Sequence, residues 1–104
     1  MSDLMELYGS NGKRQLVQTG VTADISLAST GVVAATAVTF TKPYKTAPKI
    51  FVSAISGSSV PSTAVWMEYA ASSATTGFTP SILVTTAEAS DNVKLNWMAI
   101  GNPA

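Results

Sequence analysis

The chain of 104 residues contains no histidine and no cysteine. Histidine is the side chain most often used for acid–base catalysis near neutral pH, so its absence excludes Ser-His-Asp and Cys-His systems. Without either residue there is also no histidine or thiolate metal site and no disulfide framework. A Ser-Lys pair or a carboxylate pair remains, but the six carboxylates are scattered along the chain. We therefore expect no enzymatic activity, no metal and no cofactor.

Charge is also scarce, since charged residues make up only 12% of the chain and the net charge is zero. A protein without a block of basic residues lacks the electrostatic surface of a nucleic-acid binder. The one basic group, Lys42, Lys45 and Lys49, is interpreted as a solvated loop and the start of a strand. Ser and Thr are abundant, with 13 of each. Solvation by hydroxyl groups is typical of all-β proteins that pack into larger assemblies, because unpaired charges are costly to bury.

Long apolar stretches are missing as well. No segment approaches the about 20 continuous apolar residues needed to cross a membrane. The start of the chain, "MSDLMELYGSNGKR", lacks the basic and apolar regions of a signal peptide. We expect a protein that is made and kept in the cytoplasm and has no membrane partner.

What the sequence does contain is a period of two from Gln15 onward, which favours β-strands. In "VKLNWMAI", Val93, Leu95, Trp97 and Ala99 share one face. In "KIFVSAI" both faces are apolar, which predicts a strand between two layers. Turn signals separate these runs, namely "TKPYKTAPK", "SGSSVPS", "SSATTG" and "AEASDN". The pattern predicts an all-β fold, an antiparallel sandwich of six to seven strands over residues 15–104.

Residues 1–14 form a separate N-terminal arm in this interpretation. The apolar side chains of "DLMELY" have helix-like spacing, and Asp3 and Glu6 are placed as a capping pair. A helix this short is unstable alone in water. We therefore expect the arm to dock on a neighbouring chain through four anchors, which are Leu4, Met5, Leu7 and Tyr8.

Three aromatic residues have two interpretations each. Trp97 lies in an apolar strand, which favours a place in the core. For Trp66, in "AVWMEYA", core packing and stacking on a sugar ring are nearly equally supported. Tyr44 follows Pro43 in a turn and is equally ambiguous. We keep Trp66 and Tyr44 as candidate glycan contacts.

Two weaker signals are explained by ordinary turns. Glu88 and Asp91 in "AEASDN" could offer oxygens to calcium, but a calcium loop needs several carboxylates at close alternate positions. A polar hairpin turn is the better interpretation. The "GSNG" segment lacks the lysine and the flanking elements of a phosphate-binding loop.

Four segments in a fixed order resemble the H-type lectin domain of invertebrate agglutinins and of the discoidin C-terminal domain. They are "LVQTG", "VTFTKPYKTAPKIFVSAIS", "TTGF" and "VKLNWMAI", and they extend over about the last 90 residues. Similar domains occur on bacteriophage fibres. The resemblance implies a six-stranded antiparallel sandwich, a homotrimer around a three-fold axis and a carbohydrate site.

The sugar-binding residues of that family do not carry over. The agglutinin site is built from an Asp, an Arg and a Trp-His pair on loops. At the place of the Trp-His pair this chain has Thr85 and Thr86. Its only arginine, Arg14, precedes the sandwich domain. The resemblance therefore supports the fold more than the known sugar chemistry.

Three functions are compatible with the sequence. The first is a homotrimeric decoration or cement protein of a phage capsid, whose arm clamps neighbouring shell subunits. The missing catalytic groups and the apolar arm favour it, and a chain of this length carries no long fibre shaft. The alternative is a receptor-binding or tail-fibre tip module that contacts glycans through Trp66, Tyr44 or the loop 56–62. A cellular lectin ranks third, because no secretion signal is seen.

Overall fold

The computed structural model describes residues 3–8, 14–58 and 63–104, and for residues 3–8 it describes the backbone alone. Within these ranges no helix is long and apolar enough to span a membrane. The described chain forms nine β-strands, which are β1 (Asp3–Tyr8), β2 (Arg14–Val21), β3 (Ile25–Ser26), β4 (Gly31–Ala34), β5 (Val38–Thr39), β6 (Lys49–Ser56), β7 (Val65–Ala71), β8 (Gly77–Thr86) and β9 (Asn92–Gly101).

The strands form two antiparallel sheets that pack as a sandwich. In the first sheet β9 pairs with β6 along one edge and with β2 and β3 in succession along the other, and β1 lies outside β2. In the second sheet β8 has β7 on one side and β4 and β5 on the other. The predicted all-β antiparallel sandwich is confirmed. The structure has more strands than the predicted six to seven, and two of the additional strands, β3 and β5, have only two residues each.

Strand β9 shows why the sequence folds this way. Its alternating apolar residues, from Val93 to Ala99, are all buried, whereas Asn96 and Met98 between them are exposed. Strand side chains alternate between faces, so this pattern places one face of β9 against the second sheet. Trp97 is 5% exposed, which confirms its predicted place in the core.

The core consists of two apolar clusters along the length of β9. The cluster at the C-terminal end of β9 is rich in aromatic rings and contains Leu16, Phe40, Tyr44, Phe78, Trp97 and Ala99. The cluster at the N-terminal end is aliphatic and contains Ile25, Leu27, Ile82, Val84, Val93 and Leu95. Both clusters draw residues from the two sheets, so they hold the layers together.

Strand β6 differs from its prediction. It pairs with β9 alone among the described strands, and it carries Phe51 and Ile55 on a face that is not covered, at 55% and 39% exposure. The expectation that β6 lies between two layers is therefore wrong for this chain taken alone. Its second apolar face is an exposed surface of the first sheet.

The N-terminal segment also differs from its prediction. Asp3–Tyr8 is a strand, with Asp3 opposite Thr19 and Tyr8 opposite Arg14 in β2. The expected helical turn is wrong because an edge of β2 offers backbone partners for every residue of the segment, whereas a short helix has few stabilising contacts. The side chains of Leu4, Met5, Leu7 and Tyr8 lie outside the description, and their role as anchors stays a prediction.

Candidate functional site

Of the two candidate glycan contacts, Trp66 and Tyr44, Trp66 lies nearer to the surface of the fold. It lies in β7 opposite Val84 of β8 and packs, partly buried, against the aliphatic cluster. On the same strand its neighbour Met67 points outward and is 60% exposed. The indole is therefore both a core side chain and a partly accessible one, in agreement with its two interpretations from the sequence.

A shallow cleft of about 240 Å³ lies beside Trp66. Ala54, Ile55 and Ser56 from β6 and Val93 from β9 complete its lining. Its position between β6 and β7 follows from the topology, because both are outer strands of their sheets among the described residues. The cleft offers an apolar wall, an aromatic ring and one hydroxyl group.

The indole Nε1 of Trp66 is buried and has no hydrogen-bond acceptor among the described residues. A buried donor that lacks a partner costs about 1–3 kcal/mol, so such groups are uncommon in folded proteins. Because this nitrogen is buried, a ligand in the cleft would contact the indole ring and not this N–H group.

A group of polar residues meets at Ser58, two positions after Ser56 of the cleft, and the sequence interpretation did not identify it. Asp24 Oδ2 accepts a hydrogen bond from the backbone N–H of Ser58 at 3.3 Å. Asn92 Nδ2 donates to Ser58 Oγ at 3.1 Å. A Cβ at Gly57 would lie 2.8 Å from Asp24 Oδ1 and closer still to Asn92 Oδ1, so any other residue at this position would displace these side-chain oxygens. The only signal in the sequence was the "SGSS" turn, which does not reveal distant partners.

Tyr44 is placed differently from Trp66. Its ring is 2% exposed in the aromatic cluster, and its hydroxyl donates to the carbonyl oxygen of Ala99 at 3.0 Å. Burial raises the pKa of the Tyr44 hydroxyl above its ordinary value of 10.0, and a hydrogen bond with Gln18 acts in the opposite direction. The ring has no open face for a sugar, so the structure does not bring Tyr44 together with Trp66.

The loop predicted to contact glycans, residues 56–62, is only partly described. Ser56 lines the Trp66 cleft, Gly57 and Ser58 follow it, and residues 59–62 lie outside the described residues. Thr63, where the description resumes, donates its hydroxyl hydrogen to Glu88 Oε2 at 3.2 Å. Two turns therefore meet near the N-terminal end of β9.

The two carboxylates considered for calcium lie in the turn between β8 and β9. Asp91 is buried, and its Oδ2 accepts a hydrogen bond from the backbone N–H of Ala64 at 3.3 Å. Glu88 accepts hydrogen bonds from the hydroxyl groups of Thr63 and Ser90. Within the described residues, no three His, Cys, Asp or Glu side chains form a group that could hold a metal ion.

A larger cleft lies along the opposite edge of the sandwich. It measures about 600 Å³ and is bounded by residues 21–26 of the first sheet and 33–38 of the second. Its side chains are mainly small, and Asp24 is the only charged residue among them. The cleft offers few groups that could orient a ligand.

Comparison with known proteins identifies a relative of the fold. No protein-family model matches the sequence, and no curated protein matches it significantly. Among solved structures, the tailspike of Pseudomonas phage phi297 contains a similar domain, with a TM-score of 0.69 and 22% sequence identity. The match covers 85% of this chain and 16% of the tailspike chain. The two proteins therefore share a fold over most of the length of this chain.

Proposed function

We propose that this chain is a carbohydrate-binding module of a phage tail fibre or tailspike, and thus a component of the virion. The observation that carries the proposal is the shared fold with a tailspike domain over 85% of the chain. The resemblance to H-type lectins supplies the ligand class. In this proposal the module is not an enzyme, needs no cofactor, and binds neither nucleic acid nor membrane.

The comparison supports this role better than the capsid decoration role. A tailspike domain has this fold, and β1 pairs with β2 of the same chain, so the backbone of residues 3–8 already has a partner. The short chain is no argument against a fibre role, because the similar domain occupies only 16% of the tailspike.

Trp66 would be the centre of the binding site. The apolar face of a sugar ring can stack on an aromatic side chain while its hydroxyl groups exchange hydrogen bonds with polar neighbours. The cleft supplies the indole ring and the Ser56 hydroxyl group. This arrangement differs from the agglutinin site, in keeping with the residues that do not carry over.

We further propose that the module forms a homotrimer through the outer face of the first sheet. Phe51 lies directly opposite Met98 on this face, and both are exposed. Antiparallel sheets normally present polar residues on the face turned away from the core. Buried aromatic side chains contribute much of the binding energy at many interfaces, so Phe51 would be the anchor.

A glycan array probed with the purified protein tests the carbohydrate proposal. Trp66→Ala should abolish the signal that the unchanged protein gives. Trp66→Phe, which keeps an aromatic ring and protects the fold, should retain part of it. Met67→Ala is the matched control, because its side chain is on the other face of the same strand. Absence of binding to every glycan, or equal losses in the Met67 and Trp66 variants, would refute the proposed site.

A further inference from the structure

Strand β7 carries a glutamate on the side that faces the core. Trp66 lies opposite Val84 of β8. Two residues later, Glu68 lies opposite Ile82. Val84 and Ile82 are both buried in the core, and residues paired across an antiparallel ladder point to the same face of the sheet. Trp66 and Glu68 therefore both point towards the first sheet, and they are about 7 Å apart along the strand.

Glu68 lies in the gap between the outer strands β6 and β7, which we call the β6–β7 seam. Trp66 packs against the aliphatic cluster and Ala70 against the aromatic cluster, so Glu68 lies between them where the two clusters meet. Val52 of β6 packs against both clusters and marks the same level on the first sheet. The Glu68 side chain is only partly buried, so the seam is accessible to solvent at this level.

Within the described part of the chain, the Glu68 carboxylate has no hydrogen bond or ion pair. The other three carboxylate side chains that the structure describes, Asp24, Glu88 and Asp91, each accept a hydrogen bond. Removing a carboxylate partly from water costs free energy unless a partner group compensates for the lost hydration. A donor supplied from outside the chain would provide that compensation for Glu68.

The β6–β7 seam offers acceptor atoms and an aromatic face to a ligand. The Trp66 ring and the Ser56 hydroxyl group line the cleft of about 240 Å³, and Glu68 is the next core-facing residue along β7. Among the described residues that line the cleft, none is basic. An aromatic face and a carboxylate each attract a cation, and a carboxylate binds an ammonium group through charge-assisted hydrogen bonds. The seam therefore suits a ligand that has a positive charge beside an apolar surface.

We infer that Trp66 and Glu68 together bind an amino sugar with a free amino group. The sugar ring stacks on the indole, and the ammonium group of the sugar forms an ion pair with the Glu68 carboxylate. The inference rests on the proposed carbohydrate site and names the class of saccharide that this site prefers. Glu68 is the residue that selects for charge, because a neutral sugar gains only weaker hydrogen bonds from the same carboxylate.

NMR of the full chain, titrated at constant ionic strength and about pH 6 with glucosamine, N-acetylglucosamine or glucose, tests the inference. The amino group of glucosamine is protonated at this pH, whereas the other two sugars are neutral. The chain has two tryptophans and hence two indole N–H signals, and the signal that disappears in Trp66→Phe belongs to Trp66. This signal should shift saturably, and glucosamine should bind at least about fivefold more tightly than either neutral sugar. The signal of Trp97, which lies in the core, should not move.

Glu68→Gln keeps the shape of the side chain and removes its charge. It should weaken glucosamine binding by about fivefold or more and change glucose binding little. Glu88→Gln is the matched control, because it removes the same charge from a glutamate that already accepts hydrogen bonds from Thr63 and Ser90. The affinity of this control for glucosamine should be unchanged.

Equal affinities for glucosamine and glucose, or equal losses in the Glu68 and Glu88 variants, would overturn the inference. Saturable shifts of the Trp66 signal with glucose would then leave the carbohydrate proposal standing. Failure of all three sugars to shift this signal would also overturn the inference, and the glycan array decides the broader carbohydrate proposal separately.

Discussion

The indole ring of Trp97 covers the α-carbon of Gly20, its partner across β2 and β9. A Cβ at Gly20 would lie 2.6 Å from Cζ2 and 2.7 Å from Nε1 of Trp97. The ring is held on its other sides by Phe78 at a centroid distance of 5.3 Å and by Phe40 at 6.0 Å. Trp97 therefore has little space into which it could move away from Gly20. The aromatic cluster requires glycine, which has no side chain, at position 20.

Gly20→Ala should destabilise the fold by about 2 kcal/mol, because adding a methyl group to a packed core forces side chains from their preferred positions. Urea unfolding followed by tryptophan fluorescence measures the change. The double variant Gly20→Ala with Trp97→Phe supplies the control. Phenylalanine at position 97 leaves more space for the added methyl group. The double variant should therefore lose less unfolding free energy than the sum of the losses in the two single variants. Simple additivity would show that the contact with Trp97 is not the cause.

The sequence predicts those parts of the fold in which period-two alternation coincides with burial. In β9 every second residue is apolar and buried, and the strand was predicted on its correct face. In β6 both faces are apolar, yet Phe51 is exposed. Alternation tells which residues are apolar but not whether a second layer exists to cover them. That depends on how the sheets are assembled.

The site residues were harder to predict, for a different reason. Trp66 and Tyr44 are both aromatic residues near turns, but Tyr44 is fixed in the core by a hydrogen bond to Ala99, which is 55 residues away in sequence. The contact of Asp24 with Ser58 also joins distant segments. A single sequence contains no local pattern for such contacts. For residues 3–8, helix-like spacing gave the wrong element because the edge of β2 decides it.

Asp91 should matter for stability and not for binding. It is 3% exposed and accepts a hydrogen bond from the backbone N–H of Ala64. Asp91→Ala leaves that partly buried donor without its acceptor, which should lower the free energy of unfolding by about 1–3 kcal/mol. Asp91→Asn retains an oxygen acceptor and should cost less. The matched control is Glu88→Ala in the same turn, with an expected change of about 0.5 kcal/mol or less. Equal effects of Glu88→Ala and Asp91→Ala in chemical denaturation would contradict this role.

The raised pKa of the buried Tyr44 hydroxyl predicts that the folded protein loses stability at alkaline pH. Because burial raises its pKa in the folded chain above 10.0, the unfolded chain releases the hydroxyl proton at a lower pH than the folded chain does. The stabilisation that comes from the neutral, buried Tyr44 hydroxyl is fully present below pH 10. It is lost as the pH rises through the pKa of Tyr44 in the folded chain. Tyr44→Phe should lower stability at pH 7 by about 1 kcal/mol, through loss of the hydrogen bond to Ala99.

Above pH 10 the same variant should lose stability less steeply than the unchanged protein, since it no longer carries the buried hydroxyl. Denaturation curves recorded at pH 7, 9 and above 10 check both effects. Tyr69→Phe is the comparison, because it removes a tyrosine hydroxyl from the second sheet. Parallel pH profiles for the Tyr44 variant and the unchanged protein would show that another group causes the alkaline loss.

Substitution of Phe51 tests the proposed contact between copies of this chain in a homotrimer. Its side chain is 55% exposed, so Phe51→Ser should lower the stability of the isolated fold by only about 1 kcal/mol. If three copies bury this face, however, the change should convert the trimer into monomer, because a few apolar anchors dominate most interfaces. Sedimentation equilibrium measures the mass. Met67→Ser is the control, since it changes an equally exposed residue on the outer face of the other sheet. Dissociation by Met67→Ser alone would move the interface to the second sheet, whereas a monomeric unchanged protein would refute the trimer.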